Sequence, residues 1–180
     1  LLNHQHTSPF DHNLITFKFK VPLFVARQHM RHRTWSFNEI SRRYTKVDID
    51  LYSPTNFRTQ HLSNRQASNQ DLVNPVLSVV QGATTNWETK ASSALQRHVN
   101  NSLKLYQNMI DNGIAKEQAR MVLPQNLYTT YIGTVNLNNL IKFIKLRDHE
   151  GAQQEIREVA QACQKIAQTQ WPEIMAHYER

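Results

Sequence analysis

The sequence predicts an α+β fold in which a sheet packs with long helices. Residues 14–21 alternate apolar with polar side chains, as a half-buried strand does. Residues 127–135 are rich in the β-branched and aromatic side chains that strands favour. Residues 75–111, 136–146 and 151–179 carry apolar side chains at the helical spacing of three and four positions. A chain of 180 residues is long enough for one domain with a real core and short for two. We therefore expect one domain over the whole chain.

The first half of the chain is predicted to begin with a strand and a helix. The strand covers residues 14–21, and Pro22 suits the first turn of a helix that continues from Leu23 to Met30. A weaker alternation predicts a second strand over residues 45–52. Residues 56–74 are rich in Asn, Gln and Ser, and we expect an exposed loop there.

The second half is predicted to be mainly helical. A long helix begins at Pro75 and ends at Asp111, before Asn112-Gly113. A short helix over residues 115–123 stops at Pro124. The strand over residues 127–135 leads into a helix over 136–146, and a last helix runs from Gly151 to about Glu179.

Charge and cysteine content limit the class of partner and site. The 21 Lys and Arg against 14 Asp and Glu leave a formal charge of +7, which favours anionic partners such as nucleotides, folates or nucleic acid. The single cysteine, Cys163, excludes a disulfide framework and suits a reducing cytoplasm. No run approaches the roughly 20 apolar residues of a membrane span. His4, His6 and His12 lack the spacing of a helical zinc motif, so we expect no metal site.

The stretch from Arg31 to Tyr44 is too polar for an ordinary core element. It reads Arg-His-Arg-Thr-Trp-Ser-Phe-Asn-Glu-Ile-Ser-Arg-Arg-Tyr and holds four arginines. Guanidinium groups match phosphate oxygens two at a time, and the serines, asparagine and glutamate can bind sugar hydroxyls or a base edge. The alternative is a solvated helix face, with Glu39 and Arg43 paired at i and i+4. The mixture favours a phosphorylated nucleotide.

This stretch resembles the signature of the flavin-dependent thymidylate synthases, R-H-R-x-x-S-x-N-E-x-S-x-R-Y, at every fixed position. Three further segments resemble the family: H-x-H-x-[ST]-P-F-[ED]-H from His4, A-R-x-x-L-P from Ala119, and T-x-N-x-x-x-L-x-x-F-x-x-L-R from Thr134. The resemblance implies an antiparallel sheet, and we also expect a native segment to precede Leu1.

The resemblance further implies a reaction and its partners. Such an enzyme converts dUMP to dTMP, with methylenetetrahydrofolate as carbon donor, FAD as cofactor and NADPH as reductant. It is a homotetramer whose active sites are built from several subunits. No nucleophilic cysteine is needed, which agrees with Cys163 lying outside every motif.

Site residues follow from the motif matches. Those that would bind dUMP are Gln28, Arg31, Glu39, Ser41, Arg42, Arg43, Arg120 and Arg147. Those that would bind FAD are His6, Ser8, Arg31, His32, Arg33, Glu39, Asn136, Asn138 and Lys142. The sequence departs from commoner members at Asn138, where an arginine often stands, and at Lys142, where an asparagine does. Lys142 could restore a positive charge near the flavin phosphates.

Arg147 is the expected catalytic residue. A guanidinium at the pyrimidine edge would favour the ring anion that forms when N3 loses its proton, and this makes the ring more electron-rich. The alternative for Arg147 is an ordinary cation at a helix C-terminus. Ser41 has no evident general base beside it in the sequence, so we expect it to bind substrate and not to act as a nucleophile.

Two other functions remain open at this point. A basic module could use Arg31, Arg33, Arg42 and Arg43 on the phosphates of nucleic acid, with strongly salt-dependent affinity and no chromophore. A relative of the synthases could also bind nucleotide without turning it over. The length of the motif match favours the enzyme.

Overall fold

A computed structural model describes residues 4, 6–41, 49–81 and 85–178. The strands are β1 Leu14–Pro22, β2 Ser36–Glu39, β3 Phe57–Gln60, β4 Ser68–Val73, β5 Val76–Gln81, β6 Thr85–Lys90 and β7 Tyr128–Asn136. The helices are α1 Leu23–His29, α2 Ala91–Asp111, α3 Lys116–Ala119, α4 Leu137–Arg147, α5 Gln154–Gln170 and α6 Pro172–Tyr178. Short 3-10 helices cover Ser8–His12 and Arg120–Val122. The α+β prediction is confirmed.

The chain divides into two compact units. The first takes residues 1–39, 61–68 and 129–180, and the second takes residues 40–60 and 69–128, so the chain passes back and forth between them. No helix in the described part of the chain is long and apolar enough to cross a membrane.

The first unit is built on a three-stranded sheet in the order β1-β7-β2. β2 pairs with β7 in antiparallel register, from Ser36 opposite Thr134 to Glu39 opposite Tyr131. Alternate residues of β7 are buried, beginning with Thr129, as the two-residue period of a strand requires. The predicted strands at residues 14–21 and 127–135 are therefore confirmed.

Helices cover the buried face of this sheet. α4 begins directly after β7, and Asn136 caps it by accepting a hydrogen bond from the backbone N–H of Asn139 over 2.9 Å. The apolar side of α4 enters the core, including Leu137, Leu140 and Phe143, each at most 1% exposed. The predicted helix at 136–146 is confirmed within one residue.

The described residues of the second unit form two two-stranded sheets and the helices α2 and α3. β3 and β4 form one two-stranded sheet. β5 and β6 form another, from Val76 opposite Lys90 to Gln81 opposite Thr85, and this hairpin leads into the 21-residue helix α2. α3 follows and contacts α2.

The long helix predicted from Pro75 to Asp111 is wrong up to Lys90. Residues 76–81 and 85–90 are strands, and only residues 91–111 are helical. Val76, Val79 and Val80 also satisfy a helical spacing, but β-branched side chains lose little freedom in strands. The same apolar positions fit both periods, and pairing with β6 decides for the strand.

Two other predictions need correction. The exposed loop predicted over 56–74 contains β3 and β4. The last predicted helix is two helices, because Pro172 has no N–H to donate and α5 ends before it at Gln170. Half of the strand predicted over 45–52, residues 45–48, lies outside the described residues. Residues 49–52 form no strand, although Leu51 makes an isolated bridge with Leu127.

Gly133 lies on the buried side of β7 and leaves no room for a side chain. A Cβ built there would stand 2.9 Å from Phe19 Cε2 and 3.2 Å from Trp35 Cε3. Because both rings are buried and cannot swing away, we expect Gly133→Ala to lower the free energy of unfolding by about 1–3 kcal/mol. Urea unfolding measures this. Ile132→Val, on the exposed side of the same strand, should change it by less than about 0.5 kcal/mol.

Candidate active site

The arginine-rich motif begins on a tight turn between α1 and β2. The N–H of His32 donates to the carbonyl of His29 over 3.0 Å, and the N–H of Trp35 donates to the carbonyl of His32 over 3.2 Å. These bonds fold residues 29–35 back on themselves, so Arg31 and Arg33 are exposed at the turn. Two cations are thus presented to solvent beside the edge of the sheet.

The apolar residues of the motif anchor this turn in the core. Trp35 is 6% exposed, and its ring stacks on Phe37 with centroids 6.0 Å apart and planes 6° from parallel. The motif therefore does enter the core, through its aromatic residues. Residues 36–39 form β2, so the alternative of a helix face is wrong for these residues.

Arg147 is the last residue of α4, and its side chain reaches the motif. Its Nε donates to His32 Nε2 over 2.9 Å, between residues 115 positions apart in the chain. The terminal nitrogens of Arg147 have no hydrogen-bond acceptor among residues 4, 6–41, 49–81 and 85–178. This side chain is therefore not simply a cation at a helix end.

The Arg147–His32 contact determines the protonation of the histidine. An imidazole nitrogen that accepts a hydrogen bond carries no proton, so His32 is neutral with its proton on Nδ1. Partial burial and the adjacent Arg147 guanidinium lower the pKa of His32, which keeps it neutral. Burial also lowers the pKa of Arg147 from its ordinary value.

Glu39 ends β2 next to the same sheet. The hydroxyl of Thr129 donates to Glu39 Oε1 over 2.5 Å, and the carboxylate is otherwise exposed. A carboxylate fixed through one oxygen keeps its second oxygen available to accept from a ligand.

Two residues that sequence analysis did not single out lie beneath the motif. His29 is fully buried, and its Nδ1 shares a 2.8 Å hydrogen bond with the hydroxyl of Tyr131. Burial, with smaller effects of His32 and Arg147, lowers the pKa of His29 to about 3. Burial raises the pKa of Tyr131. Their positions in the predicted strand and helix were the only signal in the sequence that these two side chains are buried. Tyr131 lies in the strand predicted over 127–135, and His29 lies in the helix predicted from Leu23 to Met30.

The N-terminal site residues lie on the same unit. His6 and Ser8 are exposed at the start of the chain, where Ser8 begins a 3-10 helix that contacts α4. Asn138 is 8% exposed and donates from Nδ2 to Asp11 Oδ1 over 3.0 Å. This bond ties the 3-10 helix to α4. Lys142, one turn further along α4, is exposed.

The remaining candidates are distributed between the two units. Gln28 belongs to the first unit, and its Oε1 is buried with no hydrogen-bond donor among the described residues. Ser41 and Arg120 belong to the second unit. Arg120 Nε donates to the carbonyl of Glu117 over 3.3 Å. Arg42 and Arg43 lie outside the described residues.

The residues of the first unit fit a flavin nucleotide in their chemistry. Arg31 and Arg33 are exposed cations on the turn, and the neutral His32 has an Nδ1–H to donate. Such donors match the phosphates and ring acceptors of an anionic dinucleotide.

The chain is similar to known proteins over nearly its whole length. The family model described as Thymidylate synthase complementing protein matches residues 1–173. The chain is 39% identical over 179 residues to a flavin-dependent thymidylate synthase of Thermus thermophilus, covering 99% of this chain and 61% of that protein. It is 35% identical to that of Thermosipho melanesiensis over 172 residues, which are 96% of this chain and 70% of the relative.

A solved structure shares the fold. The UMP/dUMP methylase PolB from Streptomyces cacaoi, bound with 5-Br UMP, superposes with a TM-score of 0.81 at 30% identity and covers 99% of this chain and 78% of its own. The chain spans about three fifths of the length of the first of its curated relatives. From its motif, its fold and these matches, the chain belongs to the Thymidylate synthase complementing protein family, that of the flavin-dependent thymidylate synthases.

Proposed function

We propose that this protein is an FAD-dependent thymidylate synthase. It methylates dUMP reductively to dTMP, with methylenetetrahydrofolate as carbon donor and NADPH as reductant. The observation that carries the proposal is the Arg147–His32 contact beside the arginine-rich turn. It leaves a partly buried guanidinium whose terminal nitrogens meet no acceptor in the described part of the chain. Family membership, and the names of relatives and of a structural neighbour that methylates UMP or dUMP, support it.

The proposed dUMP site combines cations with polar acceptors. Arg31 and Arg120, with Arg42 and Arg43, would neutralise the phosphate, and Ser41 would donate a hydroxyl to it. The buried Gln28 Oε1 needs a donor, which an N–H or hydroxyl of the nucleotide would supply. Glu39 would accept through its second oxygen. Arg147 would meet the pyrimidine.

The proposed flavin site lies along the turn and the start of α4. Its residues would be His6, Ser8, Arg31, His32, Arg33, Glu39, Asn136, Asn138 and Lys142. Bound FAD would supply the reducing equivalents taken from NADPH. Asn138 would act through Asp11, by holding the 3-10 helix that begins at Ser8, because its amide donates to that carboxylate. Lys142 would then be the cation for the flavin phosphates.

Activation of the pyrimidine would come from electrostatics. Arg147 would stabilise the anion formed when N3 loses its proton, which raises electron density at carbon 5. Cys163 is unsuited to add to carbon 6, because it is 2% exposed and burial raises the pKa of its thiol to about 12. The free, buried thiol also suits a cytoplasmic setting.

Oligomerisation belongs to the same proposal. We propose a homotetramer in which several subunits contribute to each active site. Exposed apolar side chains of the second unit, among them Leu72 and Val76 at 62% and Leu77 at 41%, support a buried interface. Light scattering after size-exclusion chromatography should give four times the chain mass, and a monomer that forms dTMP would contradict a shared site.

An absorption spectrum followed by turnover tests the function. The purified protein should show a flavin band that bleaches with anaerobic NADPH and recovers as dTMP forms from dUMP and methylenetetrahydrofolate. A protein that takes up no added FAD would overturn the proposal. Strongly salt-dependent binding of DNA or RNA by that protein would then favour the nucleic-acid module.

A further inference from the structure

His32 is held from several sides although it belongs to an exposed turn. Its backbone N–H and carbonyl are both hydrogen-bonded within residues 29–35. Its ring meets the ring of Phe143 edge-on, with centroids 4.9 Å apart and planes at 89°. These contacts restrict both the position of the residue and the orientation of its imidazole.

α4 supplies two of the partners of that imidazole. Phe143 and Arg147 are four residues apart, so they lie on the same face of the helix. Phe143 is 1% exposed and rigidly packed, whereas Arg147 is partly exposed at the helix end. The ring contact to Phe143 thus places His32 Nε2 at 2.9 Å from Arg147 Nε.

The use of Nε restricts how the guanidinium can bind a ligand. A guanidinium offers two donor pairs, one that includes Nε and one made of its two terminal nitrogens. Because Nε donates to His32, the terminal pair remains for a group with two neighbouring acceptors. A pyrimidine that has lost the N3 proton presents such neighbours, since N3 lies between two carbonyl oxygens.

We propose that His32 is a positioning residue whose Nε2 turns the Arg147 guanidinium so that its two terminal nitrogens face the pyrimidine of the substrate. The assignment rests on the proposed function, because it takes dUMP as the acceptor. The same bond leaves the proton of His32 on Nδ1, where it can donate to the flavin. His32 therefore connects the cofactor side of the site with the residue that activates the substrate.

Two neutral substitutions separate this role from simple packing. In His32→Gln, the amide oxygen stands near the position of Nε2 and can accept from Arg147. His32→Leu keeps an apolar side chain against Phe143 but accepts nothing. We expect kcat/KM for dUMP to fall about 10- to 100-fold in His32→Leu and to recover most of that loss in His32→Gln.

A direct readout does not depend on turnover. In protein labelled with ¹⁵N-arginine, the Nε–H proton of Arg147 should exchange slowly with water. Its resonance is identified as the one that disappears in Arg147→Lys. That protection should persist in His32→Gln and disappear in His32→Leu. Protection that survives in His32→Leu, or a His32→Gln variant as impaired as His32→Leu in both measurements, would overturn the assignment. If the wild-type protein makes no dTMP, the proposed function fails while the resonance still decides the His32 contact.

Discussion

Arg147→Met should lower kcat/KM for dTMP formation by about 10²- to 10³-fold, which is the size of effect seen when one preorganised charge-stabilising donor is removed. Methionine fills much of the same volume but cannot donate to a pyrimidine anion. Its thioether also gives His32 Nε2 no donor, so His32 loses its 2.9 Å partner. Steady-state assays of dTMP formation at several dUMP concentrations measure the loss.

Lys145→Met is the matched control for this prediction. Lys145 is exposed on the same turn of α4, and its Nζ lies 4.5 Å from the centroid of the Tyr178 ring. Lys145→Met removes one positive charge, as Arg147→Met does, and introduces the same side chain. We expect turnover within about twofold of wild type, because substitutions at the surface have little effect on the folded structure. Equal losses in both variants would show that net charge near α4, and not the Arg147 guanidinium, supports the reaction.

The second large effect concerns stability in acid. The free energy of unfolding should fall as the pH drops from 6.5 towards 3, with His29 alone contributing about 1.4 kcal/mol per pH unit. His29 is fully buried among aromatic rings, including those of Phe19, Trp35 and Phe143 at centroid distances of 4.5 to 4.8 Å. Its burial, together with the neighbouring charges, lowers its pKa to about 3 in the folded protein.

The direction follows from which state binds the proton. Between pH 6.5 and 3 the unfolded chain protonates His29 while the folded protein keeps it neutral, so protons favour unfolding. Above pH 6.5 both states are neutral at this residue, and its contribution is constant.

His29→Gln isolates this contribution. Glutamine cannot take up the proton and still offers polar atoms to the Tyr131 hydroxyl, which His29 Nδ1 bonds at 2.8 Å. Denaturant unfolding at pH 7 and pH 4.5 should show that the free energy of unfolding falls less between the two pH values in this variant than in wild type. In His98→Gln, at an exposed position of α2, the free energy of unfolding should fall as much as in wild type. If it also falls as much in His29→Gln, His29 binds its proton in the folded protein.

Local patterns in the sequence were sufficient for much of the first unit. β1 alternates so clearly that only one of its faces can be buried. The aromatic and β-branched residues of β7 indicated a strand, and α4 carries its apolar residues on one side. Pro22 before α1 was also informative, since its conformation suits a helix start. The motif from Arg31 to Tyr44 indicated the family because its order of residues is so specific.

Ambiguous periodicity explains what the sequence left open in the second unit. Val76, Val79 and Val80 fit a helix as well as a strand, and pairing between β5 and β6 resolves the choice. Short polar strands such as β3 and β4 carry little apolar alternation, so residues 57–73 resembled a loop. Strand pairing is a non-local interaction, and its free energy does not appear in the composition of either partner.

The fold class, the family and the residue types available for chemistry could be inferred from the order of residues alone. The contact of Arg147 with His32 across 115 positions, and the burial of His29 against Tyr131, became visible only in the folded chain. Such contacts depend on how β7 and α4 pack against α1 and the turn that follows it. A side chain's partners, burial and pKa are properties of that packing and not of its neighbours in the chain.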